Sequence, residues 1–217
     1  MGSIPWDLIG QGFLETLEMS VVSTMITYII GLPMGVILSF TGPQGLHQNK
    51  AVYGVIGAIV NIVRSIPFLI LLVLLIPVTR FIVGTSLGTA ATCVPLTIGT
   101  IPIVARMVEQ SLQEVPAGIK ESALAMGASP WQVIRLFILP EAVPSLILGA
   151  TINFLTILGY SAMAGFVGGG GLGDIAVRYG YYRYDTEILL VTVVILIVIV
   201  QVVQEIGTKL ASSNKHD

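Results

Sequence analysis

Long apolar stretches alternate with short polar ones along the whole chain. Met19–Asn49 carries no formal charge and ends in the turn residues Thr41-Gly42-Pro43-Gln44-Gly45, so its helix is expected to stop near Phe40. A second apolar run, Val52–Val78, is broken only by Arg64, and a third, Phe81–Ala105, holds a helix from about Thr89. A fourth begins after Pro144 and runs to about Gly165, and Ile188–Gln204 is rich in Val, Ile and Leu. Met19–Asn49 has room for the roughly 20 residues that a helix needs to cross a bilayer core, and the other runs reach at least the lower end of the range of about 17–25. The pattern predicts an all-α integral membrane protein, one domain over 1–217, with five transmembrane helices at roughly 17–40, 52–78, 89–110, 144–165 and 188–208.

The longest polar interruption is Glu114–Glu141. Pro116 can open a helix, because a missing N–H costs nothing in the first turn, and Gly127 can close it. A helix over Pro116–Met126 would be only about 16 Å long, too short to span a bilayer. Ser129-Pro130-Trp131-Gln132 reads as a capping box, with Ser129 as cap, Pro130 first and Gln132 third. Two short helices meeting at a glycine make a compact elbow over 114–140, between the third and fourth spans. Ile119, Ala123 and Met126 share one face of the first helix, which also fits an amphipathic helix lying on a membrane surface.

Composition points the same way: 54% of residues are hydrophobic and 10% charged, against about 25% charged in soluble proteins, and mean hydropathy is +0.92. A net charge of −2 gives no basic footprint for nucleic acid. Cys93 is the sole cysteine, so neither a disulfide nor a cysteine metal site can form within the chain. Met1–Gly12 has no Lys or Arg and carries Asp7, unlike the basic start of a signal peptide. With the N-terminus outside, the inner face holds Lys50, Arg106, Lys120, Arg135, Lys209 and Lys215, while the outer face holds Arg80, Arg178 and Arg183. The excess of positive charge inside predicts the N-terminus out, the elbow in and the C-terminus in the cytoplasm.

No P-loop motif is present, so the chain has no nucleotide cradle of its own and is not expected to be an enzyme by itself. Gly168, Gly170 and Gly173 satisfy the dinucleotide fingerprint, but no strand precedes them, and a flexible break after the fourth span explains them better. His47 and His216 lie too far apart for a metal or catalytic cluster.

Other positions have two readings each. Arg64-Ser65-Ile66-Pro67 places a charge inside a span, at about 2.5–3.5 kcal/mol. Pro67 is expected to kink that span and free the Val63 carbonyl. Arg64 can use that acceptor, reach Glu109, or simply extend to the interface. Met163, among the small residues Ser161, Ala162, Ala164 and Gly165, is either a hydrophobic gate or ordinary packing. The outer loop 168–187 carries Tyr179, Tyr181, Tyr182, Arg183 and Tyr184, an aromatic belt, a docking surface, or both. Gly31 and Gly35, or Gly54 and Ala58, can bring helices close, within one chain or between copies.

Glu121-Ser122-Ala123, Gly127 and Leu139-Pro140 together resemble the EAA loop of bacterial ABC importer permeases, with Ser122 in place of the first Ala and Phe137 in place of Ile. Arg64-Ser-Ile-Pro-Phe, Ile101-Pro102, Gly159-Tyr-Ser-Ala-Met and Gly170-Gly-Leu-Gly-Asp extend the resemblance over most of the chain, to the permeases of bacterial D- and L-methionine importers. The resemblance implies a type I importer permease fold in the bacterial inner membrane, with a cytoplasmic coupling helix formed around Glu121, Ser122, Ala123, Met126, Gly127, Leu139 and Pro140. It implies two copies of the chain, two cytoplasmic ATPase subunits that bind ATP and Mg, and an extracytoplasmic substrate-binding lipoprotein that docks on the tyrosine-rich loop. Arg64, Ser65, Pro67 and Met163 would then belong to the translocation pathway or its gate, formed with a second copy of the chain, and membrane lipid would surround the pair. Two other classes compete: a permease for another amino acid or a phosphonate, and an ion-driven carrier. The absence of Asp and Glu from the span interiors speaks against the carrier.

Overall fold

The computed structural model describes residues 5–214; Lys215, His216 and the start of Met1–Gly12 lie outside the described residues. The described chain is helical throughout its regular elements. In order these are α1 (Trp6–Thr41), α2 (Lys50–Arg64), α3 (Phe68–Leu74), α4 (Ile76–Val83), α5 (Thr89–Gln113), α6 (Ala117–Ala125) and α7 (Pro130–Gln132). A π-helical stretch (Val133–Ile138) leads to α8 (Leu139–Glu141) and α9 (Val143–Ala164). A single 3₁₀ turn, Gly165–Val167, precedes α10 (Gly171–Ile175), a second π-helical stretch (Ala176–Tyr181) and α11 (Thr186–Ser213).

Among the described residues, four helices are long and apolar enough to cross a membrane: Trp6–Thr41, Thr89–Gln113, Val143–Val167 and Thr186–Ser213. A fifth span arises only if the bent pair Lys50–Arg64 and Phe68–Leu74 is taken as one. The expected kink at Pro67 is in fact a break, with the two helices bent by 101°. Ser65, at the end of α2, still donates both its N–H and its hydroxyl to the Asn61 carbonyl, at 3.1 and 2.8 Å. Pro67, at φ −55° and ψ 136°, then starts α3 from an extended backbone.

The first helix also departs from expectation. Its 36 residues are about 54 Å long, and it begins at Trp6 rather than near residue 17. Asp7, Glu15 and Glu18 lie within it, so its N-terminal turns are polar enough to escape a hydropathy reading.

The chain forms two compact units. The first comprises Met1–Ile26, Ile66–Thr100 and Asn153–Gln204. Its core joins Met19, Phe68, Leu72, Leu96, Ile157 and Ala164, and the Phe68 and Tyr160 rings stack at 4.2 Å. The glycine run here is a held turn rather than a flexible break. Gly168, Gly170 and Gly171 take φ of +78°, +81° and +78°, which side-chain-bearing residues rarely adopt. Gly88 donates its N–H to the Gly168 carbonyl at 3.0 Å, and the Thr92 hydroxyl donates to the Gly169 carbonyl at 3.1 Å. From α1, the Glu15 carboxylate accepts the Gly171 N–H, and the Thr16 hydroxyl accepts the Leu172 N–H, both at 2.8 Å.

The second unit comprises Thr27–Ser65, Ile101–Ile152 and Glu205–Asp217. Its largest cluster contains Val36, Val104, Val108, Leu112, Val115, Ala123, Val133, Ile134, Ile138 and Ala142. Gly31 and Gly35 pack within the chain: a Cβ on either would crowd Val104 or Val108 of α5. Gly54 faces open space.

Candidate functional site

The elbow is built from backbone signals that act locally. Pro116, at φ −53° and ψ 137°, caps α6 from outside instead of forming its first residue. At the other end Gly127 takes φ +83°. It donates its N–H to the Leu124 carbonyl at 2.9 Å, and Ala128 donates to Ala123 at 3.1 Å. These are the two bonds of a Schellman termination. The capping box follows as the sequence suggests. Ser129 donates its N–H to the Gln132 side chain at 2.8 Å, and its hydroxyl accepts the Gln132 N–H at 3.4 Å.

Beyond Gln132 the helix widens. Leu139 donates to the carbonyl of Ile134, five residues back, and Pro140 has no N–H to restore the tighter spacing. A polar tie joins the flanks of the elbow. The Ser111 and Ser145 hydroxyls lie 2.8 Å apart, and Ser145 also donates to the Glu114 carboxylate at 3.2 Å.

This backbone divides the expected residues between inside and outside. Ala123 is fully buried in the second unit's core, with Ile119 and Leu139 packed against it. Glu121, Ser122, Gly127 and Pro140 are exposed. Met126 is 69% exposed, so Ile119, Ala123 and Met126 do not form one continuous apolar face. Leu124 and Trp131 are also exposed, at 45% and 58%. Leu124, Met126 and Trp131 thus leave large apolar side chains turned outward on an otherwise polar segment.

Arg64 is exposed at the end of α2 and makes no ion pair among the described residues. The expected link from Arg64 to Glu109 is replaced by a different one. Arg106, a single helical turn from Glu109, pairs with it at 2.7 Å. It also donates to the Tyr53 hydroxyl at 3.4 Å and to Asn61 at 3.2 Å, clamping α2 to α5. Ser65 and Pro67 form the break described above. Met163 is 43% exposed. In the loop, the Arg183 guanidinium sits 4.6 Å from the Tyr179 ring centre, and the Tyr181 and Tyr182 rings lie 5.3 Å apart. Tyr181, Tyr182 and Tyr184 are exposed.

Over residues 31–208 the chain matches the family described as binding-protein-dependent transport system inner membrane component. The chain belongs to this family. The permease is similar to the probable D-methionine transport system permease protein MetI of Vibrio cholerae, 51% identical over 210 residues that cover 97% of this chain and 93% of that one. It is 52% identical over 158 residues to the D-methionine transport system permease protein MetI of Escherichia coli, covering 73% of each. Among solved structures, the inward-facing MetNI methionine ABC transporter superposes with a TM-score of 0.96 at 46% identity over 100% of both chains. A crystal structure of an amino acid ABC transporter with histidines aligns at TM-score 0.73 and 22% identity, over 96% of this chain and 93% of that one, a likeness of fold alone. The all-helical type I permease architecture is thereby shown.

Three features of the permease escaped the sequence reading. Leu124 and Trp131 flank the elbow glycine, and their apolar character within a polar segment was the available signal. Arg106 counted as an inner-face charge and not as a partner of Glu109, although its spacing from Glu109 is that of a helical ion pair. Glu15 gave no signal at all, because its partner, Gly171, is 156 residues away.

Proposed function

We propose that this chain is the membrane-spanning subunit of an ATP-driven importer for D- and L-methionine, working as two copies with two cytoplasmic ATPase subunits. The observation that carries the coupling role is the elbow. It presents Leu124, Met126 and Trp131 outward on a segment whose Ala123 is locked into the core of the same unit. A subunit seated on that rim moves Ala123 with it, and Ala123 bears on a cluster that includes Val108 and Leu112 of α5. The methionine specificity is supported by the names of the relatives at 51% and 52% identity.

In this reading the elbow faces the cytoplasm, as the distribution of Lys and Arg favours. ATP and Mg bind on the ATPase subunits. Their closure brings the two elbows toward each other, the spans open outward, and hydrolysis returns them to the inward state. Met163 gates the pathway between the two copies, and Arg64, Ser65 and Pro67 lie beside it at the break between α2 and α3. An extracytoplasmic binding protein delivers the substrate to the face that carries Tyr179, Tyr181, Tyr182 and Arg183.

Uptake by reconstituted vesicles tests the reading. With co-expressed ATPase and binding protein, labelled methionine is expected to accumulate only when ATP is supplied on the elbow side. Accumulation driven by an ion gradient without ATP would overturn it.

A further inference from the structure

The first unit contains a cavity of about 450 Å³ beside the glycine turn. Glu15 of α1 and Asp174 and Arg178 of the segment after the turn bring charge to its lining, Leu8, Leu87 and Ile175 bring apolar surface, and Tyr179 closes one side. The charges are not equivalent. Both carboxylate oxygens of Asp174 are occupied by one guanidinium, with Arg178 Nε and Nη2 each at 2.9 Å. That pair is neutral. Among the described residues, the two Glu15 oxygens accept only from uncharged donors, the Gln11 amide at 2.9 Å and the Gly171 N–H at 2.8 Å. A carboxylate offers about four lone-pair positions, so Glu15 keeps acceptor capacity and a full negative charge that no described cation offsets.

The chain that leaves this cavity at Tyr179 carries Tyr181, Tyr182 and Tyr184 exposed, and Tyr184 is held at φ 58°. Exposed tyrosines beside a cavity with one unneutralised charge have the composition of a protein-docking surface, with aromatic anchors and a directional electrostatic contact.

We propose that this cavity receives a basic side chain, lysine or arginine, from the extracytoplasmic binding protein, and that Glu15 is the group that holds it. The inference rests on the importer reading above and identifies the chemistry of its outer docking site. The apolar walls take the aliphatic stem of such a side chain while its charged end meets the carboxylate. Glu15 also fixes the turn that follows α9, so docking at Glu15 acts on the same Gly171 N–H that holds that turn in place.

The test uses the intact transporter reconstituted with its ATPase, titrated with the purified binding protein while ATP hydrolysis is followed at low and at raised salt. For the wild type, stimulation is expected to saturate, with a half-saturating concentration that rises with salt. Glu15→Gln preserves an acceptor for Gly171 but removes the charge. It is expected to raise the half-saturating concentration several-fold and to flatten its salt dependence, whereas Glu15→Asp should retain that dependence. If Glu15→Gln saturates at the wild-type concentration with the wild-type salt response, the cavity does not hold a basic side chain. A wild type whose half-saturation ignores salt overturns the proposal even if the variant fails to fold. No stimulation of the wild type at any concentration would instead sink the importer reading itself.

Discussion

Ala128 donates its backbone N–H to the carbonyl of Ala123 at 3.1 Å, across the left-handed Gly127. The bond ties the exposed rim of the elbow to its most buried residue. Ala123 has no surface exposure and sits among Val108, Leu112, Val133 and Ile138. Enlarging it to Leu is expected to cost about 1–3 kcal/mol through overpacking. The check is the thermal unfolding midpoint of the purified protein in detergent; an unchanged midpoint would mean that the elbow is not anchored there.

Gly127 separates backbone strain from steric space. A Cβ at this position would meet nothing within 4 Å, yet its φ of +83° disfavours any L side chain. Gly127→Ala is therefore expected to cost about 1 kcal/mol, and Gly127→Asn less, because Asn tolerates that region better. Equal unfolding midpoints for Ala and Asn would argue that the left-handed backbone is not what selects glycine.

The two arginines near the end of α2 should behave oppositely. Glu109 is buried and paired with Arg106, so Arg106→Ala, which leaves the Glu109 carboxylate buried without its cation, is expected to lose about 3–5 kcal/mol. Arg64 is exposed, and Arg64→Ala should stay within about 0.5 kcal/mol of wild type. Denaturation of the two variants side by side decides this, and comparable losses would contradict the pairing.

Asn153 is fully buried, and neither atom of its amide has a hydrogen-bond partner among the described residues. Leu has the same branching without the polar atoms. Asn153→Leu is expected to stabilise the protein by about 1–3 kcal/mol, read as a raised unfolding midpoint. A large loss would show that the amide is satisfied in the working protein.

What could be read from the sequence was what neighbouring residues decide among themselves. The elbow's glycine stop and its Ser129–Gln132 box depend on residues within one or two turns, and both formed at the expected positions. The N-terminal extent of α1 did not follow from hydropathy, because Glu15 and Glu18 interrupt the apolar pattern while a distant backbone amide gives Glu15 its partner. Pro67 announced an irregularity, but whether the helix bends or breaks shows only in the backbone, where Pro67 takes an extended ψ of 136°. Arg106, not Arg64, found Glu109 because both lie on α5, while Tyr53 and Asn61 of α2 come to meet it. Exposure of Met126 beside buried Ala123 depends on how the elbow seats against α5, which helical periodicity alone does not fix.

Met126 provides the most direct test of the coupling elbow, because it is 69% exposed and its replacement disturbs no core packing. The measurement is the amount of ATPase subunit that co-purifies with the chain from detergent, together with its ATP hydrolysis, for wild type and Met126→Glu. The wild type is expected to bring down an active ATPase, and the variant to lose most of it while keeping the wild-type unfolding midpoint. If Met126→Glu retains the full complement of active ATPase, the outward rim of the elbow is not the surface on which that subunit sits.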